Sequence, residues 1–129
     1  MLSGQIAKDI RLSYTGGSTD MYIPLNSNSE LVYGYDINSL YPAVMKDKHF
    51  PIGNPTYFEG DIRKYDAEAF GFFHCKVEAP IELIHPIIQL HVKTKAGTMT
   101  MSPSGSFECM LFSEEMDNAI KIGYKIQIL

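Results

Sequence analysis

Leu31-Val32-Tyr33-Gly34-Tyr35-Asp36 runs directly into Ile37-Asn38-Ser39-Leu40-Tyr41-Pro42-Ala43-Val44-Met45-Lys46. The first stretch, aromatic and β-branched, predicts a strand apolar on both faces, the kind found inside a covered sheet. Asn38 or Ser39 can cap the helix that follows, from Leu40 to about Lys46. Pro42 suits its first turn, where the amide it lacks would have had no partner. The strand therefore ends on a carboxylate, which is costly unless something compensates it. A divalent cation is the natural compensation, because hard cations prefer carboxylate and backbone oxygens. The opening amides of the helix can receive an anion such as a triphosphate. Metal ligand beside phosphate cradle is the arrangement that nucleotidyl transfer requires. Gly34, on the same strand face as Asp36, leaves room for a metal or a primer end. As bare pattern, an aspartate between strand and helix is more often a cap or turn former than a metal ligand.

Upstream, Pro24 to Glu30, with Asn26, Ser27, Asn28 and Ser29, reads as a polar loop. Downstream, the prolines and glycine of His49 to Pro55 end the helix. Phe70 to Val77 then predicts a strand, and a second apolar run ends near Val92. Thr94 to Thr98 and Ser102 to Gly105 read as turns. A strand from Phe107 to Phe112 meets Ser113, a good N-cap, with Glu114 and Glu115 in the favourable first turn of a helix. Met116, Ala119, Ile120 and Gly123 share one helical face, and Gly123 can close the helix. Tyr124 to Leu129 reads as a last strand. The fold class is α+β: a strand-turn-helix followed by a small β-rich insertion with one helix.

At 129 residues this is one small domain or part of a larger one, and 45% hydrophobic residues exclude a wholly disordered chain. A net charge of −4 argues against a free-standing nucleic-acid binder. That exclusion does not extend to enzymes whose catalytic floor is acidic because it holds metal. Cys75 and Cys109 have no ligand-like spacing with the histidines, so reduced thiols are expected. No apolar run is long enough to span a membrane, and Met1 to Arg11 lacks the layout of a signal peptide. His74, His85 and His91 read as strand or turn residues. Lys93 and Lys95 with His91 form the one basic cluster, a solvated hairpin by default and otherwise a contact for DNA or a partner protein.

The string Asp36-Ile37-Asn38-Ser39-Leu40-Tyr41-Pro42 resembles the D-x-x-S-L-Y-P first catalytic motif of family B DNA polymerases. Tyr14-Thr15-Gly16-Gly17 resembles the Y-x-G-G element between the exonuclease and polymerase domains of that family. Pro51 to Ile62, Phe70 to Phe73, Phe112 to Met116 and Gly123-Tyr124 are similar to the protein-primed enzymes of linear mitochondrial plasmids and phages. The resemblance runs from about Arg11 to Leu129.

The resemblance implies that Asp36 is catalytic and binds two Mg2+ ions, with the carbonyl of Ile37 as a further ligand. Ser39, Leu40 and Tyr41 would meet the incoming deoxynucleotide, Tyr41 lying under the sugar as the gate against ribonucleotides. Tyr14, Gly16 and Gly17 would touch the DNA template. Residues 1–49 would be the exonuclease-to-palm linker and the first palm motif, and residues 50–129 an insertion that engages the terminal (priming) protein. The implied partners are DNA template and primer, the nucleotide and the terminal protein, with no membrane. The implied location is the mitochondrion or, alternatively, phage-infected bacterial cytoplasm. The second catalytic aspartate, in a D-T-D-S-like motif, and the lysine-bearing helix motif are absent from these residues. The chain alone is therefore expected to be inactive and monomeric, with affinity for the priming protein rather than for DNA. Two other readings are a non-catalytic terminal-protein-binding module and a relic frame of an integrated mitochondrial plasmid.

Overall fold

Phe73, Cys75 and Val77 alternate with His74, Lys76 and Glu78 along β1 (Phe72–Glu78), and this period of two sets the architecture. The first three are buried and the second three exposed, so the strand has one core face and one outer face. The computed structural model describes residues 2–27 and 29–129. Met1, and Asn28 of the expected polar loop, lie outside the described residues. The chain divides into two compact units, residues 1–17 with 54–129 and residues 18–53.

In the first unit β1 is the central strand of an antiparallel sheet. It is flanked by β4 (Ser106–Phe112) and β5 (Lys125–Ile128) in the order β4-β1-β5. A separate hairpin joins β2 (Leu90–Thr94) and β3 (Gly97–Met101). The helices are α1 (Gly4–Leu12) and α3 (Ser113–Lys121), with a 3-10 turn at Ile62–Lys64. The second unit contains α2 (Leu40–Asp47). This agrees with the α+β class read from the sequence.

The core packs on the inner face of the sheet. Phe73, Cys75, Val77 and Leu111 meet Met116 and Ala119 of α3, with Ala79, Ile88 and Tyr124 completing the cluster. Ile120, expected on the same helical face, is half exposed. The hydroxyl of Tyr124 accepts from the amide of Ile87 at 3.1 Å, so its polar end is satisfied as its ring is buried. Cys75 and Cys109 stand opposite each other in the β1–β4 register and are free thiols. Burial pushes them up to about 12 and about 11 respectively, which keeps both protonated and poorly nucleophilic.

Ser113 does not act as the N-cap. Helix α3 begins on it and Phe112 holds the cap position. The Ser113 hydroxyl instead accepts from the Gly71 amide at 2.7 Å and donates to the Gly71 carbonyl at 3.1 Å. It ties the helix start to the entry of β1. Glu115 reaches back to the amide of Phe112, and Gly123, at φ 101, turns the chain out of the helix.

Arg63 braces the unit from outside. Its guanidinium pairs with Asp117 of α3, lies 5.1 Å from the centre of the Phe73 ring and reaches the carbonyl of Ala69. The Asp117 hydrogen bond, partly opposed by burial, holds the guanidinium above its usual range. Arg63→Met should therefore lower the unfolding free energy by about 2 kcal/mol, since an ion-paired bidentate contact and a ring contact go together. The urea midpoint should fall at unchanged slope. An unmoved midpoint would show the pair to be a surface ornament.

The expected strand over 31–36 does not form. The segment is extended but has no ladder partner, and no strand is found among the described residues of 18–53. Every described residue from 16 to 60 is exposed, Val32 at 82% and Tyr35 at 93%. A strand apolar on both faces needs neighbours and two covering layers, and the described residues of the second unit supply none. Asn26 does close the polar loop, its side chain bonding the Glu30 amide at 3.2 Å and the Glu30 carbonyl at 2.6 Å.

Candidate active site

Asp36 stands at the end of the extended segment, exposed, and Ile37 follows it. Asn38 and Ser39 form a turn, and α2 begins at Leu40. Ser39 occupies the N-cap position, as expected, but makes no side-chain cap hydrogen bond. Its backbone is left-handed, at φ 54 and ψ 39, which costs a non-glycine residue about 1–2 kcal/mol. The Ser39 carbonyl accepts from Ala43 at 3.0 Å, the first bond of the helix. Leu40 and Tyr41 thus open the helix on amides that have no turn before them to bond, and Pro42 brings no amide at all.

The donors here are one carboxylate and one neighbouring carbonyl. Both are hard oxygens of the type magnesium takes, but the ion needs near-octahedral oxygen coordination that one carboxylate cannot complete. Among the described residues, no three His, Cys, Asp or Glu side chains come together to hold a metal. The site fits one half of a two-carboxylate centre. Gly34 has open space where a Cβ would be, and Asp36 is exposed.

Tyr14, Gly16 and Gly17 belong to the other unit, and Asp36, Ile37, Ser39, Leu40 and Tyr41 to the second. Tyr14 and Gly16 line a groove of about 710 Å3 with Arg11 and Ile10 of α1, Phe72 and Phe112. Gly16 has φ 77, a left-handed bend that glycine adopts at no steric cost. The groove floor is aromatic: the rings of Phe72 and Phe112 lie 5.2 Å apart, and Phe70 meets Phe112 edge-on at 5.0 Å. Phe72 and Phe112 occupy the outer sheet face, which elsewhere carries His74, Lys76, Glu78 and Glu108. Sequence reading did not find these lining residues. Their one signal is parity, since two phenylalanines share the polar register of their strands.

All 129 residues match the family model described as DNA polymerase type B, organellar and viral. The chain belongs to this family. It is 40% identical over 119 residues to a probable DNA polymerase of Ascobolus immersus, covering 92% of this chain and 10% of that protein. A probable DNA polymerase of Neurospora intermedia is 39% identical over 127 residues, covering 93% of this chain and 13% of that one. The DNA polymerase of Streptococcus phage Cp-1 is 32% identical over 69 residues, 53% of this chain and 12% of the phage protein. The chain thus spans about a tenth of the length of these relatives. No solved structure matches it.

Proposed function

We propose that these residues are the part of a protein-primed DNA polymerase that carries its first catalytic aspartate and the insertion used for priming. The observation that carries the reading is the turn at Asp36 to Pro42. It sets a lone exposed carboxylate ahead of α2 and its open amides, with three residues between them, the last of the three being left-handed. In the whole enzyme Asp36 and the carbonyl of Ile37 would hold Mg2+, together with a second aspartate that these residues do not contain. The ions supply Lewis-acid stabilisation of charge on the phosphates. The amides of Leu40 and Tyr41 bind and orient the triphosphate, and the left-handed Ser39 turns the backbone toward it. Tyr41 excludes a sugar bearing a 2′-hydroxyl. Tyr14 and the Gly16-Gly17 bend hold template, and residues 50–129 meet the terminal protein.

Relatives from fungi and from a phage support a mitochondrial element or a phage as the parent's setting. The alternative of a non-catalytic terminal-protein module has one observation in its favour. Residues 54–129 with 1–17 hold the whole buried core, while residues 18–53 bury nothing among those described.

Primer extension separates the two readings. With Mg2+ and primed DNA, the full-length polymerase should extend the primer and the 129-residue chain should add no nucleotide. Extension by the isolated chain would overturn the requirement for a second carboxylate. A full-length protein that binds terminal protein but never extends would favour the module.

A further inference from the structure

An asparagine followed by a small residue is chemically labile, and a fold can permit or forbid the reaction. The backbone nitrogen of the next residue attacks the side-chain carbonyl carbon, which requires a free side chain and an unbonded amide. Of the five asparagines, two share almost one local context, Leu25-Asn26-Ser27 and Ile37-Asn38-Ser39. Each follows a branched aliphatic residue and precedes serine, so in an unfolded chain the two should react alike.

The structure separates them. The Asn26 side chain is held at both ends, donating to the Glu30 carbonyl at 2.6 Å and accepting from the Glu30 amide at 3.2 Å. Asn38 is exposed in the turn before α2, and among the described residues its side chain makes no hydrogen bond. The Ser39 amide makes none either, since α2 uses the carbonyl of that residue and not its N–H. Pro55 offers Asn54 no N–H to attack with. Asn118 precedes Ala119, which is fully buried inside α3, where amides are bonded to the preceding turn. Asn28 lies outside the described residues.

We propose that Asn38 is a site of spontaneous deamidation, with water as the co-reactant. The Ser39 nitrogen gives up its proton and bonds to the side-chain carbonyl carbon of Asn38. The bond from that carbon to Nδ2 breaks, and ammonia leaves with the proton. Water then opens the succinimide at either of its carbonyls. One opening leaves aspartate at position 38. The other leaves isoaspartate, with the main chain rerouted through the side-chain carbon. Either product places a new negative charge two residues from Asp36. Isoaspartate also adds a carbon to the backbone between Asp36 and α2. On the catalytic reading of this motif, which the chemistry itself does not need, that carbon would shift the opening amides of α2 away from Asp36.

The test incubates the 129-residue chain at mildly alkaline pH and follows it by peptide mass mapping, with fragmentation that resolves Asn26 from Asn28. In the folded chain Asn38 should convert about tenfold faster than Asn26, because two hydrogen bonds must break before Asn26 can react. In concentrated urea, which unfolds the chain, the two rates should come within about threefold of each other. Asn38→Gln should abolish the change at that position, since the longer side chain closes a less favourable ring, with circular dichroism confirming the fold. Equal rates in the folded chain, faster loss at Asn26, or an intact Asn38 overturns the proposal. So does a tenfold preference that persists in urea, since the difference would then belong to the neighbouring residues and not to the bonds that hold Asn26. The readout is peptide mass and not nucleotide incorporation. Failure here therefore leaves the catalytic reading standing, and failure of primer extension leaves the modification.

Discussion

Asp36→Ala in the full-length polymerase should reduce template-directed incorporation by on the order of 10³-fold or more, with the melting temperature unmoved. The magnitude follows from the role proposed for it: a ligand for ions that carry the developing phosphate charge would act in the transition state, where one lost electrostatic contact costs about 10²–10³ in rate. The unmoved melting temperature follows from position. Asp36 is exposed and belongs to no part of the core, so removing it leaves no cavity and no orphaned partner. Single-nucleotide incorporation at saturating substrate is the measurement. A loss of less than tenfold would return Asp36 to the role of a turn residue, and a parallel drop in stability would make it a structural one. Asp36→Asn should fall nearly as far, because the amide keeps the shape and loses the charge.

Tyr41→Val should raise ribonucleotide incorporation about a hundredfold, while changing deoxynucleotide use by less than about fivefold. Tyr41 is the second residue of α2, exposed at 77%, with its ring committed to no packing within the core. A large side chain left free at a helix opening can serve as a wall for a ligand. Shortening it should admit the 2′-hydroxyl without disturbing the amides behind it. Competition between a deoxynucleotide and its ribonucleotide on one template reads the ratio directly. Equal loss of both would make Tyr41 a packing residue of the whole enzyme and remove the gate.

The elements legible in the sequence were those specified by local chemistry. Ser39 as a candidate cap and the early Pro42 mark the start of α2, and the alternation of Phe73, Cys75 and Val77 with polar neighbours marks β1. Glu114, Glu115 and Gly123 bracket α3. What failed depended on distant partners. Leu31 to Asp36 has strand composition, but a ladder needs a second strand, and composition does not say whether one is present. Ser113 has the right residue type for a cap, yet the helix begins on it rather than after it and Gly71 draws its hydroxyl to the sheet. Helix α1 has Ser3 at its N-cap position but no side-chain cap hydrogen bond, and it starts on a glycine at φ 70, a residue that does not favour a helix. The candidate site divides the same way. Asp36 and its helix are contiguous in sequence and could be read there, whereas the groove joins Tyr14 to Phe72 and Phe112 across long stretches of chain.

The exposed, unpaired run from Leu31 to Ile37 has a consequence for handling this protein. Bare extended backbone with Val32, Tyr33 and Tyr35 open to solvent is a template on which identical chains can add edge to edge, as fibrils do. Two features slow that process: the flexibility of Gly34 and the charge of Asp36, which would repeat at every rung of an in-register stack. The carboxylate assigned to metal would then also serve as a gatekeeper against aggregation. Neutralising it for a kinetic experiment would make the isolated chain less soluble.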